Sequence, residues 1–432
     1  MAFTPFVFAS PPVADLFRFP PAPNPQSIPP PQYNVPFTIP DWLFTAALDA
    51  KVPLTIASVY AVSAKALNAY NKSTGKKPWA ISKTKAFEVF VILHNVFLAV
   101  YSAWTWWGML HALKNSIVSP TGPDGWAATV DSFCRIHGPT GFGNGIFYNE
   151  ALGKWETTSD QALLTASGEP SRVVPGRLWN EGLAFYGWIF YLSKFYEVLD
   201  TLIILAKGKL SSTLQTYHHA GAMLAMWGGI RYMAAPIWIF CFFNSFIHSI
   251  MYTYYTATAL NIRVPQVIKR SITSLQISQF LVGGSVATIH SIIAYTVPVK
   301  VKSESTGLTE TRYEGTHCIT TSGSNFATWF NIIYLAPLTY LFVSFFITSY
   351  LKRSQKANLS AKSGRGRRLS NVQIAEKAGW DAAKGVKREV YGETFSPIAE
   401  SPVDGLSDEE RKRVLNGHAN GHAKMNGNGN KY

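Results

Sequence analysis

Long apolar runs alternate with polar segments along this chain, and the runs exceed what strands or ordinary buried helices need. Seven of them, about 16–28 residues each, read as helices near the ~20 residues that a ~30 Å hydrocarbon layer requires. They cover Val52–Asn68, Ala86–Leu113, Leu183–Ala206, Ser212–Trp227, Ile237–Leu260, Ile272–Val297 and Phe326–Leu351. Lys65 interrupts the first, and the fourth is short and polar at its start. The pattern predicts an all-α fold, a polytopic membrane bundle of seven transmembrane helices. Residues 1–45 form a Pro-rich segment, 46–351 the helical region and 352–432 a polar tail. Pro29-Pro30-Pro31 marks the first segment as extended chain lying at a membrane surface, and no basic-then-apolar signal-peptide pattern precedes it. Low-complexity Gly, Asn and Ser predict a disordered tail, where a solvated His418 and His422 pair is favoured over a metal site.

Charge adds an orientation. Only 15% of the 432 residues are charged, against about 25% in soluble domains. Three cysteines rule out a disulfide scaffold. Net charge is +14, which on one wettable face would suggest nucleic acid. Here the cations gather between and after apolar runs, so membrane lipid is the predicted partner and nucleic acid is not. Of 39 Lys and Arg residues, 27 fall on the tail's side and 11 on the other, with Lys194 inside a helix. The positive-inside rule then puts the tail in the cytosol and the N-terminus in a lumen. Cys134 and Cys318 share the oxidising side as a candidate disulfide, with two free thiols as the alternative.

Ionisable and amide side chains inside spans are costly and tend to face the bundle interior. Helix three carries Lys194, Glu197 and Asp200, and helix four Gln215, His218 and His219. Helix five carries Asn244, His248 and Tyr252, and helix six Thr273, Gln276 and Gln279. Each set shares one helix face except His219, about 100° round from His218. Four such stripes predict a polar chamber enclosed by apolar helices. The bland readings are a charge network for Lys194, Glu197 and Asp200, and an interhelical hydrogen bond for Asn244. Packing alone does not explain two adjacent imidazoles in a span.

Histidines in a membrane also suggest metal. Membrane desaturases and hydroxylases need about eight histidines in three boxes, whereas only His218, His219 and His248 can gather here. One zinc on three histidines is the remaining metal option. A metal-dependent lipid oxidoreductase therefore stays as the alternative, and no metal is predicted. A retinal protein would need a lysine in the last helix, and a transporter would show repeats and broken helices.

These residues make a resemblance specific. The chain resembles the ELO family of fatty-acid elongases, through a Lys-x-x-Glu-x-x-Asp-Thr motif at Lys194, Glu197, Asp200 and Thr201. A His-x-x-His-His box is met by Gln215, His218 and His219. Asn-x-x-x-His-x-x-Met-Tyr-x-Tyr-Tyr follows at Asn244, His248, Met251, Tyr252, Tyr254 and Tyr255, then Thr-x-x-Gln-x-x-Gln at Thr273, Gln276 and Gln279. The similarity covers about residues 50–351. Gln215 departs from the commonest box; glutamine there also occurs among relatives acting on polyunsaturated chains. Its amide is placed one turn before His218, where it is expected to hydrogen-bond a neighbouring stripe or the second ring nitrogen.

The resemblance implies a very-long-chain 3-oxoacyl-CoA synthase, an acyltransferase of the endoplasmic reticulum membrane that joins acyl-CoA and malonyl-CoA. It implies ping-pong transfer through an acyl-imidazole on His218, with no cofactor. His248 and Asn244 would orient the nucleophile or hold an enolate, and Lys194 and Gln276 would stabilise charge. Lys207, Lys209, Lys269 and Arg270, at cytosolic helix ends, are candidates for the phosphates of CoA, although orientation alone would place cations there. Trp227, Phe243 and Phe246 are expected to line an acyl tunnel. Partners implied are the reductase and dehydratase of the elongation cycle, and a homodimer is open.

Overall fold

The structure is a computed structural model that describes residues 5–30, 35–159, 164–302 and 309–347. The tail from 352, with His418 and His422, lies outside the described residues. Helices α1 (Asp41–Ala47), α2 (Lys51–Ser73) and α3 (Lys85–Ser116) come first. After α4 (Gly125–Cys134), the rods α5 (Ala184–Tyr196) and α6 (Val198–Ala206) run end to end through Glu197. Helices α7 (Thr213–Arg231), α8 (Ile237–Ala259), α9 (Gln266–Ile292) and α10 (Ser322–Phe346) complete the set. Side-chain caps mark three starts. Thr84 accepts from the amide of Phe87, Ser212 from Gln215 and Thr321 from Ser324, each satisfying an otherwise orphaned N–H.

Each of the seven expected segments holds a helix, but the spans are fewer by strict measure. Among the described residues, Lys85–Ser116, Val267–Ile292 and Ser322–Ser344 are long and apolar enough to cross a membrane. The pair α1–α2, bent by 49°, makes a fourth if it is one broken span. The shortfall has a chemical cause. Helices α5 and α6 are 13 and 9 residues long, and α7 and α8 carry the histidine and amide stripes. Polar side chains that make a site also lower the hydropathy that marks a span.

The chain is mostly helical, as expected, but two small sheets join the helices. The sixth segment stays helical only to Ile292, and Ile293–Lys302 becomes a strand, β4 (with β1 to β3 at Val7–Ala9, Ile146–Asn149 and Lys154–Thr157, and β5 at Thr309–His317). Ile293-Ala-Tyr-Thr-Val-Pro-Val is rich in β-branched and aromatic residues, and Pro298 disfavours a continuing helix. Strand β4 pairs antiparallel with β5 from Ala294↔His317 to Lys302↔Thr309, and with β1 on its other edge. Strands β2 and β3 form a hairpin.

The N-terminal segment is also tied down rather than merely extended. Val7 to Ala9 join the sheet, the amide of Ala22 donates to Ser322 Oγ at 2.8 Å, and Arg18 pairs with Glu150 at 3.1 Å. Its backbone polar groups thus find partners in protein. Cys134 and Cys318 are joined by a disulfide, which links the end of α4 to the residue just after β5. Beneath it, buried Arg177 donates to Asp131 Oδ2 at 2.7 Å and to the carbonyls of Asp131, Arg135, Pro139 and Gly141. Tyr295 donates to the other Asp131 oxygen at 2.9 Å. Residues 5–30, the α3–α5 connection and the α9–α10 connection therefore form one cap at one end of the bundle.

At the other end Asn71, fully buried, donates to the carbonyls of Leu205 and Lys209 at 2.8 Å and accepts from Trp79 Nε1. This stitches α2 to the end of α6. The entry into α5 turns on Gly182, whose φ of +154° disfavours any residue with a Cβ.

Candidate active site

The polar stripes do converge, around the length of α5 and α6. Lys194 and Glu197 are buried, and Lys194 Nζ lies 2.7 Å from Glu197 Oε1. The same ammonium donates to Asn244 Oδ1 on α8 at 3.3 Å and sits 4.0 Å over the Phe190 ring. Asn244 Nδ2 donates to Gln279 Oε1 on α9, also at 3.3 Å. Glu197 Oε1 further accepts from Ser193 Oγ and faces His248 Nδ1 at 3.8 Å. One ion pair thereby joins three helices, with its hydrogen bonds gathered on Glu197 Oε1, while the buried Oε2 accepts none among the described residues.

A second cluster gathers on Asp200. Tyr252 of α8 donates to its Oδ2 at 2.6 Å, and His94 of α3 meets its Oδ1 through Nε2 at 2.8 Å. Tyr252 also packs edge-on against His248, with ring centres 5.7 Å apart. Thr201 shares a hydrogen bond of 2.8 Å with Tyr60 of α2.

The two box histidines part company. His218 turns to α10, where its Nδ1 lies 3.1 Å from the Tyr334 hydroxyl. His219 instead lies edge-on to Tyr60 at 6.1 Å. Five residues past Thr213, His218 stands about 8 Å along α7 from its start.

A small cavity opens beside His218. Lys194, His218, Asn244, Gln279, Asn331 and Tyr334 give it one polar region. Phe190, Ala222, Met226, Ile239, Phe240, Phe243, Phe280, Leu335 and Leu338 make the rest apolar. Of the three aromatic residues expected along a tunnel, only Phe243 lines it. Trp227 instead donates to the Leu48 carbonyl, and Phe246 packs on Trp106.

Other candidates lie elsewhere. Gln276 Nε2 contacts Met251 Sδ at 3.2 Å, so Gln279 is the glutamine that reaches the cavity. Gln215 is buried, and its Oε1 has no hydrogen-bond partner among the described residues. That oxygen therefore accepts no hydrogen bond from a neighbouring stripe or from His218 among the described residues. Of the four cations, Lys209 is buried, Lys207 and Lys269 are half-buried, and Arg270 is exposed beside the Phe346 ring. Cys241 is buried facing Gly187 of α5 and does not line the cavity. Among the described residues, no three of His, Cys, Asp and Glu are placed to hold a metal ion.

Sequence reasoning passed over His94, Asn331 and Tyr334. A histidine or asparagine alone in an apolar run is itself a signal of a buried polar partner, and that signal marks the first two. Nothing in the sequence marks Tyr334 among 20 tyrosines.

The sequence profile of the ELO: GNS1/SUR4 family matches residues 45–358, most of the chain. This chain belongs to the ELO family. The match takes in the whole polar cluster, from Tyr60 to Tyr334, so the geometry above is that of an ELO protein. Human very long chain fatty acid elongase 3 is 31% identical to this ELO chain over 183 residues, 42% of the chain and 60% of that protein. Putative fatty acid elongase 4 of Caenorhabditis elegans is 28% identical over 181 residues, covering 42% and 55%. Putative fatty acid elongase 1 of Schizosaccharomyces pombe is 28% identical over 214 residues, covering 49% and 58%. The chain thus spans less than two thirds of the length of these relatives. No solved structure matches this ELO protein significantly.

Proposed function

We propose that this protein is a fatty-acid elongase, a very-long-chain 3-oxoacyl-CoA synthase that condenses acyl-CoA with malonyl-CoA to 3-oxoacyl-CoA, CO2 and CoA. The observation that carries the reading is the cavity itself. An imidazole, an ammonium, three amides and a phenol line an otherwise apolar space, which suits a thioester joined to a hydrocarbon chain. Relatives named fatty acid elongases support the same reading.

In this reading His218 takes the acyl group from CoA, and the acyl-imidazole remains activated for attack by carbon. Malonyl-CoA then loses CO2, and its enolate closes on the acyl carbon. Decarboxylation supplies the carbanion, so the reaction draws on no redox cofactor. Lys194, held by Glu197 and Asn244, is the cation nearest the thiolate and enolate, with Asn244 and Gln279 as neighbouring dipoles. His248, Asp200, Tyr252 and His219 would shape this field from behind the cavity wall. Arg270, Lys269 and Lys207 are proposed to meet the phosphates of CoA.

In this reading the chain passes seven times, which would set the three segments of the cap on one side, with a lumenal cap and N-terminus and a cytosolic tail. We place the protein in the endoplasmic reticulum membrane, beside the reductase and dehydratase that process its product. Microsomes carrying the protein should extend acyl-CoA by two carbons from labelled malonyl-CoA, and iron chelators should leave the rate unchanged. Absence of extension across saturated, monounsaturated and polyunsaturated acyl-CoAs would remove the reading.

A further inference from the structure

Tyr334 meets His218 twice. Its hydroxyl lies 3.1 Å from His218 Nδ1 and 3.0 Å from the His218 backbone oxygen. The hydroxyl has one proton, the carbonyl has none, and a neutral imidazole carries one on either nitrogen. If Tyr334 gave its proton to Nδ1, two oxygens with only lone pairs would face each other at 3.0 Å. Given to the carbonyl, that proton leaves a tyrosine lone pair free to accept from Nδ1–H. Both contacts are then satisfied, and only then.

We infer that Tyr334 is a positioning residue that holds His218 as its Nδ1–H tautomer, which makes Nε2 the atom that accepts the acyl group. The inference rests on the acyl-imidazole reading of His218. Which ring nitrogen holds the proton is set by what the other atoms around it accept or donate.

The Tyr334 ring is fixed where this needs it. It is buried, lies 5.6 Å from the Tyr217 ring, and its backbone oxygen accepts the Tyr217 hydroxyl at 3.1 Å. Gly221, three residues after His218 on α7, is the opening it uses: a Cβ there would collide with the Tyr334 ring. Both Tyr334 and His218 line the cavity.

The chemistry balances without a proton donor. Nε2 attacks the thioester carbon, the C–S bond breaks, and sulfur leaves with the electron pair as CoA thiolate. The Nδ1 proton stays on the ring toward Tyr334, so the adduct is a cationic acyl-imidazolium, a stronger acyl donor than the neutral form. Malonyl-CoA loses CO2 and becomes an enolate. Its carbon bonds to the acyl carbon, the C–Nε2 bond breaks, and the pair returns to Nε2, restoring neutral His218.

Bromoacetyl-CoA reads the attacking nitrogen in the unaltered protein, because loss of bromide leaves a stable carbon on that nitrogen. Acid hydrolysis should release the Nε2 isomer of carboxymethylhistidine from His218; the Nδ1 isomer overturns the assignment. Tyr334→Phe keeps the ring and removes the hydroxyl. The single-turnover release of CoA from acyl-CoA alone should slow at least tenfold, with half-saturation for acyl-CoA within twofold. A release rate within twofold of the unaltered protein overturns the assignment while the acyl-imidazole reading stands. If the unaltered protein releases no CoA without malonyl-CoA, the acyl-imidazole reading fails first, and the assignment of Tyr334 falls with it.

Discussion

His94 of α3 holds Asp200 of α6 through a contact of 2.8 Å, with the imidazole side chain wholly shielded from solvent. Tyr252 occupies the other carboxylate oxygen at 2.6 Å, so the carboxylate is gripped from two helices. A hydrogen bond to a charged group contributes about 1.5–3 kcal/mol. His94→Ala should therefore lower the unfolding free energy of the detergent-solubilised protein by that amount, and His94→Gln by less. Equal melting of the alanine variant and the parent would show that Tyr252 alone secures Asp200.

The Lys194–Glu197 pair allows a sharper test, because buried pairs behave asymmetrically. Lys194→Met leaves a buried carboxylate without its cation and should cost about 3–5 kcal/mol. Adding Glu197→Gln removes the orphaned charge, so the double variant should recover most of that stability. Chain extension should stay lost in both, since the ammonium at the cavity wall is gone. Melting curves and extension assays on the same preparations check both halves. A double variant no more stable than the single would mean that the lone carboxylate is not the source of the lost stability.

Helix positions were legible because length and apolarity report them directly, and Lys194, His218, Asn244 and His248 because each is a costly group repeated at helical spacing. The cap was not legible. Ile293–Lys302 follows an apolar helix without a break in hydropathy, and only the pairing with β5 and β1 distinguishes strand from helix. The cavity wall was legible in kind but not in detail. Trp227, Phe243 and Phe246 look alike in sequence, and the packing of α8 on α3 and of α7 against α1 decides that Phe243 alone faces inward. Tyr334 was silent because its role depends on α10 lying against α7, a contact between residues more than a hundred positions apart.

In the cap, burial between the rings of Trp155 and Trp179 pushes the pKa of His137 down to about 3. The unfolded imidazole takes a proton near 6.5, so below that pH the unfolded chain binds more protons than the folded one. Stability is full above about pH 6.5 and falls as pH drops toward 3, by about 2 kcal/mol at pH 5. Hydrogen-exchange protection factors in residues 135–157, taken relative to the intrinsic rate at each pH, should fall between pH 7 and 5. His137→Phe should flatten that dependence, and an unchanged slope in the variant would assign it to other groups.

Gln215 presents a buried amide oxygen with no hydrogen-bond partner among the described residues, one turn before His218. An unsatisfied buried acceptor costs about 1–3 kcal/mol, and replacing it by an apolar group of similar size removes that cost. Gln215→Leu should therefore leave the melting temperature unchanged or raise it, the reverse of what a hydrogen-bonded glutamine would give. Gln215→His should retain chain extension, because the position touches neither the Tyr334 contact of His218 nor the Lys194 network. If the leucine variant melts lower while binding of neither substrate is tested, the oxygen has a partner in the free protein. If its melting is unchanged but extension of polyunsaturated acyl-CoA falls more than that of saturated acyl-CoA, the amide finds its partner in the substrate. Melting curves and paired rates for the three proteins distinguish these results, and lower melting of Gln215→Leu overturns the prediction.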